Sequence, residues 1–218
     1  MIPDLVIFDC DGVLVDSEPI SNQTIADALS EMGVSCTLEE TMAAFVGKSM
    51  AQVAEGVRAM GAELPGSDAD WIDSIYAQTY ARLRAGVDPI PGVTAVLDAL
   101  DAAGVPYCVA SNGSDEKMDI TLGATGMAER FRGKRFSAQT LGVSKPDPDL
   151  FFIAAQYMST VPGRAVVIED SASGALGAQR AGMRCFGYAP TDGAALEAVG
   201  AEIFRSMDQL PALLGLPH

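Results

Sequence analysis

Histidine is nearly missing from this chain: of 218 residues only one, His218, is a histidine. A Ser-His-Asp triad, a Cys-His pair and a histidine-held zinc site all need imidazoles that the sequence does not supply. Basic residues are scarce too, 14 Lys plus Arg against 29 Asp plus Glu, for a formal charge of −15. A surface of that sign repels nucleic-acid phosphates and anionic lipid headgroups, so neither is expected as a partner. The four cysteines, Cys10, Cys36, Cys108 and Cys185, share no metal-ligand spacing. Three lie in apolar, strand-like runs, where a buried thiol acts as a small hydrophobe. No stretch approaches the roughly twenty apolar residues of a bilayer-spanning helix. The N-terminus enters a strand without a basic region or a small-residue cleavage site, and the expectation is a cytoplasmic protein. Whatever chemistry occurs must run on carboxylates, lysines, hydroxyls and a metal ion.

What the chain does have is enough apolar surface, 49% of its residues, for a full core with room for an insertion. After a first strand-like run at Val6-Ile7-Phe8, residues 17 to 86 contain no run of β-branched residues. Apolar spacing there predicts amphipathic helices over 18–32, 38–45, 49–61 and 68–85, broken at Gly33, Gly47, Gly61 and Leu64-Pro65-Gly66. From Pro89 onward helix and strand alternate: helices over 92–103, 114–125, 146–158 and 172–181, strands over 105–110, 134–138, 164–168 and 184–188. That alternation implies an α/β fold of parallel strands joined by right-handed crossovers. Ligands of such sheets bind beyond the carboxyl ends of the strands.

Four polar clusters fall at or beside those ends. In Phe8-Asp9-Cys10-Asp11-Gly12 two carboxylates stand at i and i+2, which on a strand is one face. Carboxylates that close are tolerable if a divalent cation lies between them or if one holds a proton. Taken alone, the segment is equally a strand followed by an Asp-Gly turn. Strand 105–110 runs into Ser111-Asn112-Gly113-Ser114, a hydroxyl and small residues opening a helix, which suits an anion but also suits an ordinary N-cap. Lys145 precedes Pro146-Asp147-Pro148, whose prolines restrain the backbone beside it. Strand 164–168 ends in Glu169-Asp170-Ser171, adjacent acids that either cap the next helix or need a cation. Together the carboxylates suit a hard cation such as Mg²⁺, and the hydroxyl, lysine and amides suit an anion. A phosphoryl group fits both.

These four segments, DxDGxLxDSE, a strand followed by SNG, a lysine before PDP, and EDSxxG, resemble in order the four motifs of the haloacid dehalogenase-like hydrolases, over essentially the whole chain. The resemblance implies a Rossmann-like, three-layer parallel-sheet core, 1–16 with 87–218, and a four-helix cap, 17–86, inserted after the first strand. It implies that Asp9 is the nucleophile forming an aspartyl-phosphate and Asp11 the general acid and base. Ser111 and Lys145 would hold the phosphoryl oxygens. Asp9, the Asp11 backbone carbonyl, Asp170 and Glu169, directly or through water, would hold Mg²⁺. Gly12, Asn112 and Gly113 are expected to line the substrate, as are Gly47, Lys48 and Ser49 of the cap. Linkers near 15–18 and 85–90 would let that cap hinge over the site.

Within the family, Asp11 argues against the dehalogenases, which lack that second aspartate and need no metal. Mutases of the β-phosphoglucomutase type carry a histidine where this chain has Ile20-Ser21-Asn22, leaving hydrolysis of a phosphate ester as the expected reaction and the mutase as the alternative. Lys48, the only lysine of the insert, follows a helix break and does not look like the buried Schiff-base lysine of phosphonoacetaldehyde hydrolases. It suits a substrate with a second anionic group, with Arg82 and Arg84 as further cations. The SNG and Gly-Lys segments resemble those of sugar-acid phosphate phosphatases. The expectation is a phosphatase of a small sugar or sugar-acid phosphate, a monomer or weak homodimer. A catalytically silent metabolite-binding protein is the alternative of another class.

Overall fold

The computed structural model describes residues 2–46 and 48–217. The chain forms two compact units, one of Met1–Asp16 with Asp88–His218 and one of Ser17–Val87. In the first, six parallel strands lie in the order β3-β2-β1-β4-β5-β6. They are β1 (Leu5–Phe8), β2 (Tyr107–Ser111), β3 (Arg135–Ser137), β4 (Ala165–Glu169), β5 (Arg184–Tyr188) and β6 (Glu202–Phe204). All four residues of β1 are buried, as a central strand covered on both faces demands. Val6 and Phe8 pack into one apolar layer with Val93, Leu97, Met118 and Leu122, and Leu5 and Ile7 into a second layer with Leu150, Phe151, Ala154 and Ala178. The helices carrying those residues are α5 (Val93–Ala103) and α6 (Asp115–Ala124) on one face, α8 (Asp149–Tyr157) and α9 (Ala172–Arg180) on the other. The result is a three-layer α/β sandwich with the ends of β1, β2 and β4 side by side.

The helical unit holds α1 (Glu18–Glu31), α2 (Leu38–Phe45), α3 (Met50–Ala59) and α4 (Asp68–Ala85) around a core of Ile25, Leu29, Phe45, Val57, Trp71 and Ile75. Three of these helices start on capping boxes, Thr37 with Glu40, Ser49 with Gln52 and Ser67 with Asp70. Each box satisfies amide groups that the first turn would otherwise leave bare.

Several boundaries differ from the sequence expectation for local reasons. The helix expected from 92 starts at Val93, because Gly92 sits at φ +86° in the left-handed region. The helix expected from 146 starts at Asp149, since a residue before proline is steered out of helical geometry and Pro146 and Pro148 flank Asp147. The Lys145–Pro146 peptide is cis. Residues beyond 188, where the sequence pattern predicts no element, form α10 (Ala194–Glu197), β6 and α11 (Leu210–Leu213), elements of three or four residues. A further four-residue helix, α7 (Ala138–Leu141), follows β3 directly. Pieces that short carry too few positions for a period to register. No helix among the described residues is long and apolar enough to cross a membrane.

Candidate active site

The site is assembled at the carboxyl edge of three neighbouring strands. β1 ends at Phe8, and Asp9 follows it with its amide on the Ile168 carbonyl of β4 at 2.9 Å. The chain then turns sharply: the amides of Leu14 and Val15 both donate to the Cys10 carbonyl, and Gly12 N–H donates to Val15 at 2.9 Å. The two-residue alternation expected for Asp9 and Asp11 therefore stops before either residue. Asp9 joins Glu169 and Asp170, the three offering carboxylate oxygens within 4.8 Å of one another, whereas the Asp11 carboxylate is not in that group. Its Oδ1 lies 2.9 Å from Lys117 Nζ. Gly12 stands at φ +75°, and a Cβ there would overlap the Asp170 carboxylate. Close approach of Asp170 gives this glycine a reason other than the substrate contact expected for it.

Lys145 is the pivot. Its ammonium is paired with Asp9, donates to Glu169 Oε1 at 2.6 Å and stands 5.5 Å from the Phe151 ring centroid. Its amide donates to Asn112 Oδ1 at 2.9 Å, so Asn112 ties the lysine backbone to the end of β2. Glu169 is fully buried, and its Oε2 accepts from the amides of Asp170 and Ser171 and from Ser171 Oγ. A Cβ on Gly174 would overlap that carboxylate, so the first turn of α9 approaches it because residue 174 has no side chain. Glu169 is thus occupied by protein donors on both oxygens while still belonging to the acid group.

Charge follows from this burial. Desolvation pushes the Asp9 carboxyl up to about 7, helped by the neighbouring carboxylates of Glu169 and Asp11 and opposed by Lys145. Burial pulls Lys145 down, but the Asp9 and Glu169 carboxylates outweigh it and the lysine stays charged. The donor set of hard oxygens around Asp9 and Asp170, costly to bury without a cation, suits a hard divalent ion. A cleft of about 340 Å³, lined among others by Gly12, Asp16, Asp170 and Tyr188, reaches one edge of the acid group.

Ser111 ends β2, is buried and accepts from Gly113 N–H at 3.0 Å, while the Gly113 carbonyl accepts from Ser137 Oγ at 2.8 Å. The hydroxyl and the turn after it lie beside Asp11, since a Cβ on Gly113 would stand 3.3 Å from Ser111 Oγ and 3.7 Å from Asp11 Oδ2.

In the helical unit, Gly47 lies outside the described residues. Lys48 donates its amide to Phe45 and its ammonium stands 5.9 Å from the Phe45 ring centroid. Ser49 caps α3, its hydroxyl accepting from Gln52, so its side chain already has a structural task. Arg82 is paired with Asp27 at 2.6 Å. The residue that sequence reasoning missed is Lys117. Its one signal was position, three residues after the N-cap Ser114, which faces the first turn of α6 back toward the strand ends.

Residues 3–182 match the model of the haloacid dehalogenase-like hydrolase family. The chain is 34% identical over 212 residues to the 6-phosphogluconate phosphatase of Escherichia coli K12, covering 95% of this chain and 93% of that one. Among solved structures, a haloacid dehalogenase-like protein of unknown function from Agrobacterium tumefaciens superposes with a TM-score of 0.84 at 36% identity, over 97% of each chain. A hydrolase of the same family from Deinococcus radiodurans, solved with bound phosphate and sodium, superposes with a TM-score of 0.84 at 33% identity, over 97% of this chain and 95% of that one.

Proposed function

This chain belongs to the haloacid dehalogenase-like hydrolases and is a phosphoric monoester hydrolase, and we propose that it is a Mg²⁺-dependent phosphatase of a small sugar or sugar-acid phosphate, working through an aspartyl-phosphate on Asp9. The observation that carries this reading is the buried Asp9–Lys145–Glu169 cluster with Asp170 beside it, a fixed ammonium and an acid group on either side of one carboxylate. The sugar-acid class is supported by the 34% identical relative named for 6-phosphogluconate, and a phosphate with a cation by the ligands of the Deinococcus relative.

An Asp9 oxygen attacks phosphorus in line with the departing ester oxygen. Lys145 and Ser111 hold the phosphoryl oxygens, which is most of what this reaction asks of a protein. Asp11 protonates the leaving oxygen and then takes a proton from the water that cleaves the aspartyl-phosphate. Asp9, Asp170, the Asp11 carbonyl and Glu169, directly or through water, would hold Mg²⁺, which when bound supplies positive charge against the phosphoryl oxygens.

The deciding experiment is phosphate release from a panel of sugar phosphates, sugar-acid phosphates, phosphoglycolate, nucleotides and β-glucose 1-phosphate. Release is expected with Mg²⁺ and lost with EDTA. Conversion of β-glucose 1-phosphate to the 6-phosphate without release would establish the mutase instead.

A pH dependence follows from Asp9. Its carboxyl sits at about 7, and a cation binds the ionised form, so below that pH a proton must be displaced and binding weakens as pH falls. The half-saturating Mg²⁺ concentration is expected to rise about tenfold per pH unit below about 7, roughly 30-fold between pH 8 and about pH 5.5. Equal half-saturation at both pH values would show that the Asp9 carboxyl takes up no proton in that range or takes no part in holding the cation.

A further inference from the structure

We infer that Lys117 is a positioning residue for Asp11, holding the carboxylate that serves the leaving group apart from the Asp9–Lys145 pair; the inference rests on the phosphatase reading above. Lys117 and Thr121 are four residues apart on α6 and so share a face. That face engages two consecutive residues of the β1 turn: Thr121 Oγ1 is 3.8 Å from Cys10 Sγ, and Lys117 Nζ is 2.9 Å from Asp11 Oδ1. The backbone of the lysine is held in the first turn of α6, its amide donating to Ser114 Oγ at 3.1 Å and its carbonyl accepting from Thr121 Oγ1 at 3.0 Å. Both side chains of the pair are 19% exposed, which sets it apart from the solvated ion pairs that contribute little. The point where a Cβ on Gly113 would stand is 3.7 Å from both Lys117 Cδ and Asp11 Oδ2, so the pair closes against the turn carrying Ser111.

Two ammonium groups therefore serve three carboxylates, Lys145 those of Asp9 and Glu169 and Lys117 that of Asp11. Without Lys117 the Asp11 carboxylate loses the ammonium that stands at its Oδ1. Lys117 thereby separates two acids that are two residues apart in sequence, one left to attack and one left to meet the leaving oxygen. It touches neither the phosphoryl group nor the ester in this role.

The test exploits the chemistry of the leaving group. An alkoxide needs a proton to depart, whereas p-nitrophenolate does not, so in the step that forms the aspartyl-phosphate, the one kcat/KM reports, a fault confined to Asp11 discriminates between the two esters. In Lys117→Met, kcat/KM on the best alkyl phosphate is expected to fall about 30- to 100-fold and kcat/KM on p-nitrophenyl phosphate by less than about threefold, with Lys117→Arg restoring the alkyl activity to within about threefold. An equal fall in kcat/KM on both esters, an unchanged alkyl kcat/KM, or failure of the arginine variant to restore it would overturn the inference. Crystal structures of the parent and of Lys117→Met decide it independently of turnover. The Asp11 carboxylate is expected to leave its present position, and a carboxylate that stays in place overturns the role. If the parent protein releases phosphate from neither ester, the phosphatase reading fails while the crystallographic comparison still judges Lys117.

Discussion

Asp9→Asn is expected to lower kcat by about 10⁵-fold, a barrier increase of about 7 kcal/mol, with the fold intact. The amide is nearly isosteric with the carboxylate, so the buried packing survives, and Lys145 keeps Glu169 as its partner at 2.6 Å. What disappears is the oxygen nucleophile on which the covalent route depends. The loss should be as complete on p-nitrophenyl phosphate as on a sugar phosphate, because attack on phosphorus precedes any need of the leaving group for a proton. Steady-state rates on both esters measure this, and borohydride reduction of the parent enzyme during turnover should mark residue 9 alone. Residual activity within about tenfold of the parent, or a mark on another residue, would assign the nucleophile elsewhere.

Gly174→Ala is expected to damage the protein more than its single methyl suggests, since the added Cβ would overlap the Glu169 carboxylate. That carboxylate is fully buried and bonded to Lys145, to two amides and to Ser171 Oγ. Either α9 shifts off the end of β4, or the carboxylate moves and leaves buried donors unsatisfied. A cost of about 3–5 kcal/mol follows, a fall in Tm of roughly 10 °C for a chain of this size. Because Glu169 and Asp9 both hold the Lys145 ammonium, kcat should fall by more than about 100-fold even well below the melting point. Thermal melts and rates taken together check both parts. A Tm within about 2 °C of the parent would show that the helix yields freely and that the contact has no such cost.

Much of the site was legible because each cluster is contiguous. A strand, a polar residue and a small-residue turn fall within ten residues in Val6–Gly12, in Val109–Ser114 and in Val166–Gly174, and chain continuity alone places those residues at strand ends. The partnerships were not legible. Asp9 and Lys145 are 136 residues apart and Cys10 and Thr121 are 111 apart, and no local pattern states which ammonium meets which carboxylate. The tail eluded the sequence for a different reason: β6 is a three-residue edge strand whose place is set by pairing with β5. That Ser49 caps α3 was equally outside the pattern, since a capping box is completed only by the geometry of Gln52 three residues on.

The sequence by itself determined the alternation of elements, the apolar run that forms β1, the absence of imidazole chemistry and the set of groups available for phosphoryl transfer. Those properties are local, fixed by side-chain type and by the period of the hydrophobic pattern. Only the tertiary structure decided that Lys145 bridges Asp9 and Glu169, that Lys117 takes Asp11, and that Gly12 and Gly174 are sites where a carboxylate presses on bare backbone. Such facts depend on the order of strands in the sheet, which brings β1, β2 and β4 side by side. In a buried setting of low dielectric, ångström-scale distances between charges, not their presence in the chain, set which carboxylate ionises and which residue acts.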